Sequence, residues 1–199
     1  VDSDAMKVTG TLTVSDGQFQ PETSSDFATV IISANGILKP VSSASITVSG
    51  NFTNSGTFTH NSGTINFDGT AADATITINN SNEFNNVIIS SGSYDVDAGS
   101  DIIVSGALTV SSGELDIKAR TVTVAGATDI DGTLTIDGAG TYDANNSFTA
   151  QGATVQFTGS GGTLKLGGAT VTSIGDIFDP GSGTVEYDYS GDQRVKTRT

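Results

Sequence analysis

The chain has no cysteine, no tryptophan, one histidine and three prolines in 199 residues. Without cysteine there is no disulfide framework, no thiol nucleophile and no thiolate metal site. His60, the single histidine, has no second histidine to join it, so neither a transition-metal site nor a Ser-His-Asp triad is expected, and it reads as decoration of an exposed strand. Basic side chains are scarce: 8 Lys and Arg stand against 22 Asp and Glu, for a formal charge of −14. That charge repels phosphate backbones and anionic lipid, so nucleic acid and membrane insertion are set aside as partners. Much of the basic complement sits in QRVKTRT at the C-terminal end. No apolar run approaches the roughly 18 residues of a membrane helix. No basic-then-apolar signal segment is seen, and a first residue of Val reads as a processed or excised piece. Long stretches of Ala, Leu, Glu and Lys are also missing, which removes helices from the expectation.

What remains is glycine, Ser, Thr and Asn around short alternating apolar runs. With 25 glycines and 35% hydrophobic residues the composition describes short strands and frequent turns over a real core. In GALTVSSGELDI, Leu108, Val110, Leu115 and Ile117 alternate with Thr109, Glu114 and Asp116, the period of two that buries one face.

The line is written more than once. VTGTLTVSDGQFQ near the start nearly duplicates VSGALTVSSGELDI, and VTGTLTV, VSGNFTN, VSGALTV and VAGATDI align on Gly10, Gly50, Gly106 and Gly126. Their separations, 40, 56 and 20, lie near multiples of a unit of about 20 residues. A parallel β-solenoid demands such a repeat, because each coil lies on the last at about 4.8 Å and like positions stack. The expected inward residues are Leu12, Val14, Phe19, Val48, Phe52, Phe58, Ile65, Phe67, Ile76, Ile78, Val87, Ile89, Leu108, Val110, Leu134, Ile136, Val155 and Phe157. Dividing the chain by about 20 gives about ten coils in a rod of about 45 to 50 Å. No linker is visible, so 1–199 reads as one domain. GDIFDPGSGTVEYD reads as a loop between coils, and VEYDYSGDQRVKTRT as an edge strand.

The run FNNVIISSGSYDVDAGSDIIVSGALTVSSGELDIKARTVTVAGA, Phe84 to Ala127, resembles tandem repeats of very large bacterial cell-surface proteins. These are like filamentous-haemagglutinin-type adhesins and autotransporter passengers, and the likeness rests on FNNVIIS, SGALTV, SSGELDI and TVTVAG. ITVSGNFTNSGTFTHNSGTINFDGT and GSGTVEYDYSGDQRV are similar to further parts of the same pattern, whereas ETSSDFATVIISANGILKPVSS and TYDANNSFTAQ depart from it. The resemblance implies an all-β, single-stranded parallel, right-handed β-helix, exported as a stalk or adhesive layer and part of a longer protein.

Carbohydrate-active β-helices need clustered acids with a basic neighbour. Asp129 with Asp131 and Asp95 with Asp97 are the candidate pairs, each placing two carboxylates on one side of a strand, and if Ile130 and Val96 point inward these acids point to solvent. DVDAGSD and DIDGT gather hard oxygens that calcium favours, but match neither an EF-hand nor a calcium β-roll. Thr11/Thr13, Thr57/Thr59, Thr75/Thr77, Thr121/Thr123 and Thr133/Thr135 resemble an ice-binding array, but their spacings of 46, 18, 46 and 12 keep no single phase.

The reading is an extracellular, non-catalytic structural or adhesive module of a bacterial surface or fibre protein. It carries no catalytic, cofactor or resident metal residue, with calcium the one cofactor considered. Its partners would be cell-surface or matrix components including glycans, or further copies joined end to end. The alternatives are a polysaccharide-active or a carbohydrate- or ice-binding β-helix, and a filament subunit.

Overall fold

The structure is a computed structural model that describes residues 6–70, 72–79, 83–96 and 99–195. Among the described residues the alternating apolar pattern folds into parallel strands only, wound into coils with three faces. The first two strands, β1 (Lys7–Phe19) and β2 (Ser25–Leu38), each wrap a whole coil. The third coil breaks at its corners into β3 (Ser45–Val48), β4 (Phe52–Asn54) and β5 (Thr57–Phe58). The fourth holds β6 (Thr64–Phe67), β7 (Ala74–Ile78) and β8 (Glu83–Phe84), and the fifth β9 (Asn86–Ile89), β10 (Ser93–Val96) and β11 (Ile102–Val104). The sixth has β12 (Leu108–Val110), β13 (Glu114–Ile117) and β14 (Thr121–Val124); the seventh β15 (Thr128–Ile130), β16 (Thr133–Asp137) and β17 (Thr141–Ala144). The eighth has β18 (Phe148–Thr149), β19 (Thr154–Thr158) and β20 (Thr163–Leu166). The ninth has β21 (Thr170–Val171), β22 (Ile177–Asp179) and β23 (Thr184–Tyr187), and β24 (Arg194–Val195) opens a tenth.

Successive strands on the first face run β3, β6, β9, β12, β15, β18, β21, β24. The second runs β4, β7, β10, β13, β16, β19, β22, and the third β8, β11, β14, β17, β20, β23. Partners are separated by 18 residues at the shortest (Thr11 to Thr29) and 24 at the longest (Thr170 to Arg194), so nine coils of about 21 residues replace the expected ten of about 20.

Sixteen of the eighteen expected inward residues are buried; Leu12 and Phe19, on the first coil, are half-buried against the same core. Four phenylalanines from adjacent coils, Phe52, Phe58, Phe67 and Phe84, make edge-on or tilted ring contacts at 5.5 to 6.5 Å, and Tyr94 extends the group at 5.0 Å from Phe67. Such pairs add to the area they bury. Three buried hydroxyls in the core find partners. The Tyr94 hydroxyl donates to the Val48 carbonyl (3.1 Å) and accepts from Gly69 N–H (2.9 Å), while Tyr142 and Thr128 share a buried hydroxyl bond of 2.9 Å.

Three expectations change. Gly106 and Gly126 do stack, Gly126 N–H donating to Gly106 carbonyl at 2.9 Å, at the corner between the third and first faces. Gly50, however, turns the corner between the first and second faces, between β3 and β4. The glycine line is therefore a corner motif used at more than one corner, and the separation of 56 between Gly50 and Gly106 corresponds to two and two-thirds coils rather than three. A side chain is excluded at these corners by the coil below: a Cβ on Gly126 would stand 2.3 Å from the Gly106 carbonyl oxygen. Second, the Asp179-Pro180-Gly181 stretch is no loop between coils. It is the corner inside the ninth coil, between β22 and β23. Third, His60 lies in the turn after β5, not on an exposed strand. Its Nδ1 accepts from Ser62 N–H at 3.1 Å and its Nε2 lies 3.4 Å from Glu83 Oε1.

Candidate functional site

Parallel stacking turns sequence positions about 21 apart into neighbours, and on the second face it brings acids together that are remote in the chain. The outward column there runs Thr75, Asp95, Asp116, Thr135, Gln156, Asp179 in direct register. Beside it runs Ser93, Glu114, Thr133, Thr154, Ile177. Lys118, two residues beyond Asp116 on the same side, reaches back over both carboxylates: Nζ lies 2.5 Å from Asp116 Oδ2 and 3.6 Å from Asp95 Oδ2. Thr135 Oγ1 donates to Glu114 Oε1 at 2.5 Å, Gln156 Nε2 donates to Thr135 Oγ1 at 3.0 Å, and Ser93 Oγ donates to Glu114 Oε2 at 3.4 Å.

The network covers its own middle. Asp116 is 9% exposed and Thr135 3%, although both point away from the core. Desolvation raises the Asp116 carboxyl above the usual carboxylate range; Lys118 opposes the rise, and Glu114 and Asp137 add to it. Lys118 is raised above its ordinary value, chiefly by its hydrogen bond to Asp116, with Asp116, Asp95 and Asp137 adding charge attraction against some desolvation. Asp116 Oδ1 is buried without a hydrogen-bond donor, the residual cost of packing a carboxylate into a ladder. Chemically, two stacked carboxylates with an ammonium between them can hold a proton on one member and keep charge on the other.

Next to this cluster, the corner between the first and second faces forms an open groove of about 570 Å³ floored by Gly92, Gly113 and Gly132 and edged by Glu114, Asp131 and Ser112. Gly113 is held there at φ +77°, with the Gly92 carbonyl oxygen 2.2 Å from where a Cβ would be. Only glycine meets both conditions.

Of the expected acid pairs, Asp95 belongs to the cluster, but its stacked partner is Asp116 rather than Asp97, which lies outside the described residues. Val96 points inward, yet the Asp95 side chain is only 13% exposed, so it is covered by its neighbours and not simply solvated. Asp129 is exposed on β15 with Ile130 inward, and Asp131 stands at the edge of the groove. Partial desolvation and then the Asp131 charge raise Asp129. Among the described residues neither makes an ion pair. The same residues contain no group of three or more His, Cys, Asp or Glu placed to hold a metal, so calcium at DVDAGSD or DIDGT gains no support from the part that is described.

The threonine pairs disperse as their phases predict. Thr121 begins an unbroken outward column with Thr141, Thr163 and Thr184, but Thr123 is followed on its column by Asp143, Lys165 and Glu186, so the paired array stops after one coil. Thr133 and Thr135 stack under Glu114 and Asp116. Thr75 lies under Asp95. Thr11 and Thr13 lie against Thr29 and Ile31, and Thr57 against Ile37.

Asp116, Glu114 and Lys118 were missed as site residues because each looks ordinary within its own strand. The signal available was the offset: 95 plus 21 is 116, and the strands SYDV and ELDI place their aspartates at the same step. No protein-family model, curated protein or solved structure matches the chain.

Proposed function

We propose that the chain is a non-catalytic structural and adhesive module of a bacterial cell-surface or fibre protein, exported and working as a rigid acidic rod. The observation that carries this reading is the stack: nine coils share one core, and strand register runs from coil to coil along the first and second faces and along the third from β8 to β23. Nine coils at about 4.8 Å give a rod of about 43 Å whose lateral faces are hydroxyl- and carboxylate-rich. A rod of this kind spaces or displays a surface by stiffness alone. Its partners on this reading are surface or matrix components, glycans among them, met along the sides.

A second reading, a polysaccharide-active β-helix, is favoured by one observation, the Asp95, Lys118 and Asp116 stack beside an open groove. Against it, Lys118 engages both carboxylates within the fold, which leaves the cluster the geometry of an internal ion pair. The deciding experiment immobilises the chain and presents a panel of polysaccharides and matrix proteins, following retention and the release of reducing or unsaturated ends together. Saturable retention without product supports the module. Product release that Asp116→Asn and Lys118→Met abolish, in variants that keep the native circular dichroism spectrum, would replace it with the second reading.

A further inference from the structure

We propose that the corner between the third and first faces binds one calcium ion across the seventh, eighth and ninth coils, held by oxygens of Ala144, Asn145 and Asp188 around Gly167. Asn145, Gly167 and Asp188 each follow the last residue of a third-face strand, and those last residues, Ala144, Leu166 and Tyr187, are stacked in register. Backbone bonds carry the stack into the corner: Gly167 N–H donates to the Ala144 carbonyl at 2.7 Å and Asp188 N–H to the Leu166 carbonyl at 3.3 Å. Asn145 and Asp188 are thus two coil steps apart, about 9.6 Å along the rod, with a glycine between them.

The missing side chain at Gly167 lets oxygens from the coils on either side converge. Measured from where a Cβ on Gly167 would be, Asp188 Oδ1 lies at 3.2 Å, Asn145 Oδ1 at 3.3 Å and the Ala144 carbonyl oxygen at 3.4 Å. The carbonyl accepts from Gly167 N–H, but among the described residues no hydrogen bond or ion pair reaches the side chain of Asn145 or Asp188. Oxygens of like partial charge facing one point repel one another, and a cation among them turns that repulsion into attraction. Lys165, two residues before Gly167, does not fill the role: its Nζ lies 3.4 Å from Glu186 Oε2 in the neighbouring column.

Asp143 adds an independent observation. It lies two residues before Asn145 on the outward side of β17, and its Oδ1 is buried with no hydrogen-bond partner. Burial raises its carboxyl above the usual carboxylate range, and the Asp188 charge raises it further, opposed by Lys165 and aided by Glu186. Asp143 and Asp188 therefore act on each other across the corner, and a cation there relieves both. The donors select the ion. Carboxylate, amide and carbonyl oxygens on side chains free to rotate inward to about 2.3–2.6 Å, at a surface where water completes the shell, suit calcium; magnesium demands a tighter octahedron, and zinc favours imidazole or thiolate. Neutral oxygens supply what a third carboxylate would, so the site differs from a group of three acids. The ion would tie the ninth coil, where Phe178 and Val185 are half-buried, to the fully packed seventh.

The test uses the absence of tryptophan. Three of the four tyrosines adjoin the site, Tyr142 before Asp143 and Tyr187 and Tyr189 on either side of Asp188, so terbium bound there is lit by tyrosine excitation alone. The full chain titrated with terbium is expected to give saturable luminescence with one ion per chain, displaced by calcium and far less readily by magnesium. Calcium alone is expected to raise the thermal unfolding midpoint. Gly167→Ala keeps every charge and places a methyl where the oxygens meet, and Asp188→Asn removes one charged donor; each is expected to weaken binding by about tenfold or more and to abolish the calcium-dependent shift in midpoint. Asp129→Asn, the same charge loss away from the site, is expected to bind as the parent does. Luminescence that never saturates, or that Asp129→Asn and Asp188→Asn lower equally, overturns the inference, since it reports only the ion atmosphere of an acidic rod. So does parent-like affinity in Gly167→Ala. If Gly167→Ala loses the native circular dichroism spectrum, the contrast between the two aspartate variants decides alone. Failure leaves the module reading standing, because the shared core and strand register do not depend on an ion.

Discussion

The seventh coil and the ninth are built from similar strands and fare differently. In the seventh, Ile130, Leu134, Ile136, Tyr142 and Ala144 are completely buried. In the ninth, the stacked counterparts Phe178 and Val185 are half-buried, and Tyr187, in register with Leu166 and Ala144, is exposed. Strand pattern is common to both. The difference is that the seventh coil has neighbours above and below, and the ninth has one described neighbour and the short β24. Burial in this fold is a property of position in the stack, so an equal apolar residue is worth less at an end than in the middle.

The largest effect expected from this comparison is Phe52→Ala against Phe178→Ala. The first removes a fully buried ring that touches three other rings and should cost about 3–5 kcal/mol, read from urea midpoints, and the second about 1. Equal costs would break the positional account. Next comes Tyr142→Phe, which strands the buried Thr128 hydroxyl and should cost about 1–3 kcal/mol, with Thr128→Val added on top restoring part of the loss.

Lys118→Met should cost about 1 kcal/mol near neutral pH, because Asp95 and Asp116 keep their places without a cation and the lysine is itself a third exposed. Its sign with pH follows from Asp116, whose folded carboxyl is raised. The folded state then binds a proton more readily than the unfolded one, so stability is fully present below the ordinary carboxylate pKa and falls as pH rises through the raised value. The variant should therefore lose most above that value and recover toward the parent on acidification. In the parent, the raised Lys118 contributes stability that is complete below its ordinary pKa near 10.5 and is lost as pH climbs through the folded value. Denaturation midpoints across acidic, neutral and strongly alkaline buffers check both. The smallest effect expected is Asp129→Asn, within about 0.5 kcal/mol, since the side chain is exposed and makes no ion pair among the described residues.

Much of this fold was legible along the chain. Alternation in runs such as Leu108 to Val110 and Leu115 to Ile117 identified inward residues because a strand exposes its period directly. The phase of the repeat was less legible. VTGTLTV and VSGALTV are almost one line, but Val8, Leu12 and Val14 occupy the first and second faces and Val104, Leu108 and Val110 the third and first. A corner does not depend on which two faces it joins, so one short motif serves several of them. The cluster of Asp95, Asp116 and Lys118 was read only in part, since Asp116 and Lys118 acquire meaning from a neighbour one coil away.

The sequence by itself determined an all-β, parallel, coiled chain of strong acidity. Local alternation, glycine at the bends and the charge count are properties of short windows, and no distant partner can change them. Tertiary structure alone decided which residues are neighbours 18 to 24 positions apart. Coil lengths vary with each corner, so register depends on how every coil settles on the one before it. For that reason the carboxylate pair and the groove beside it belong to the stack.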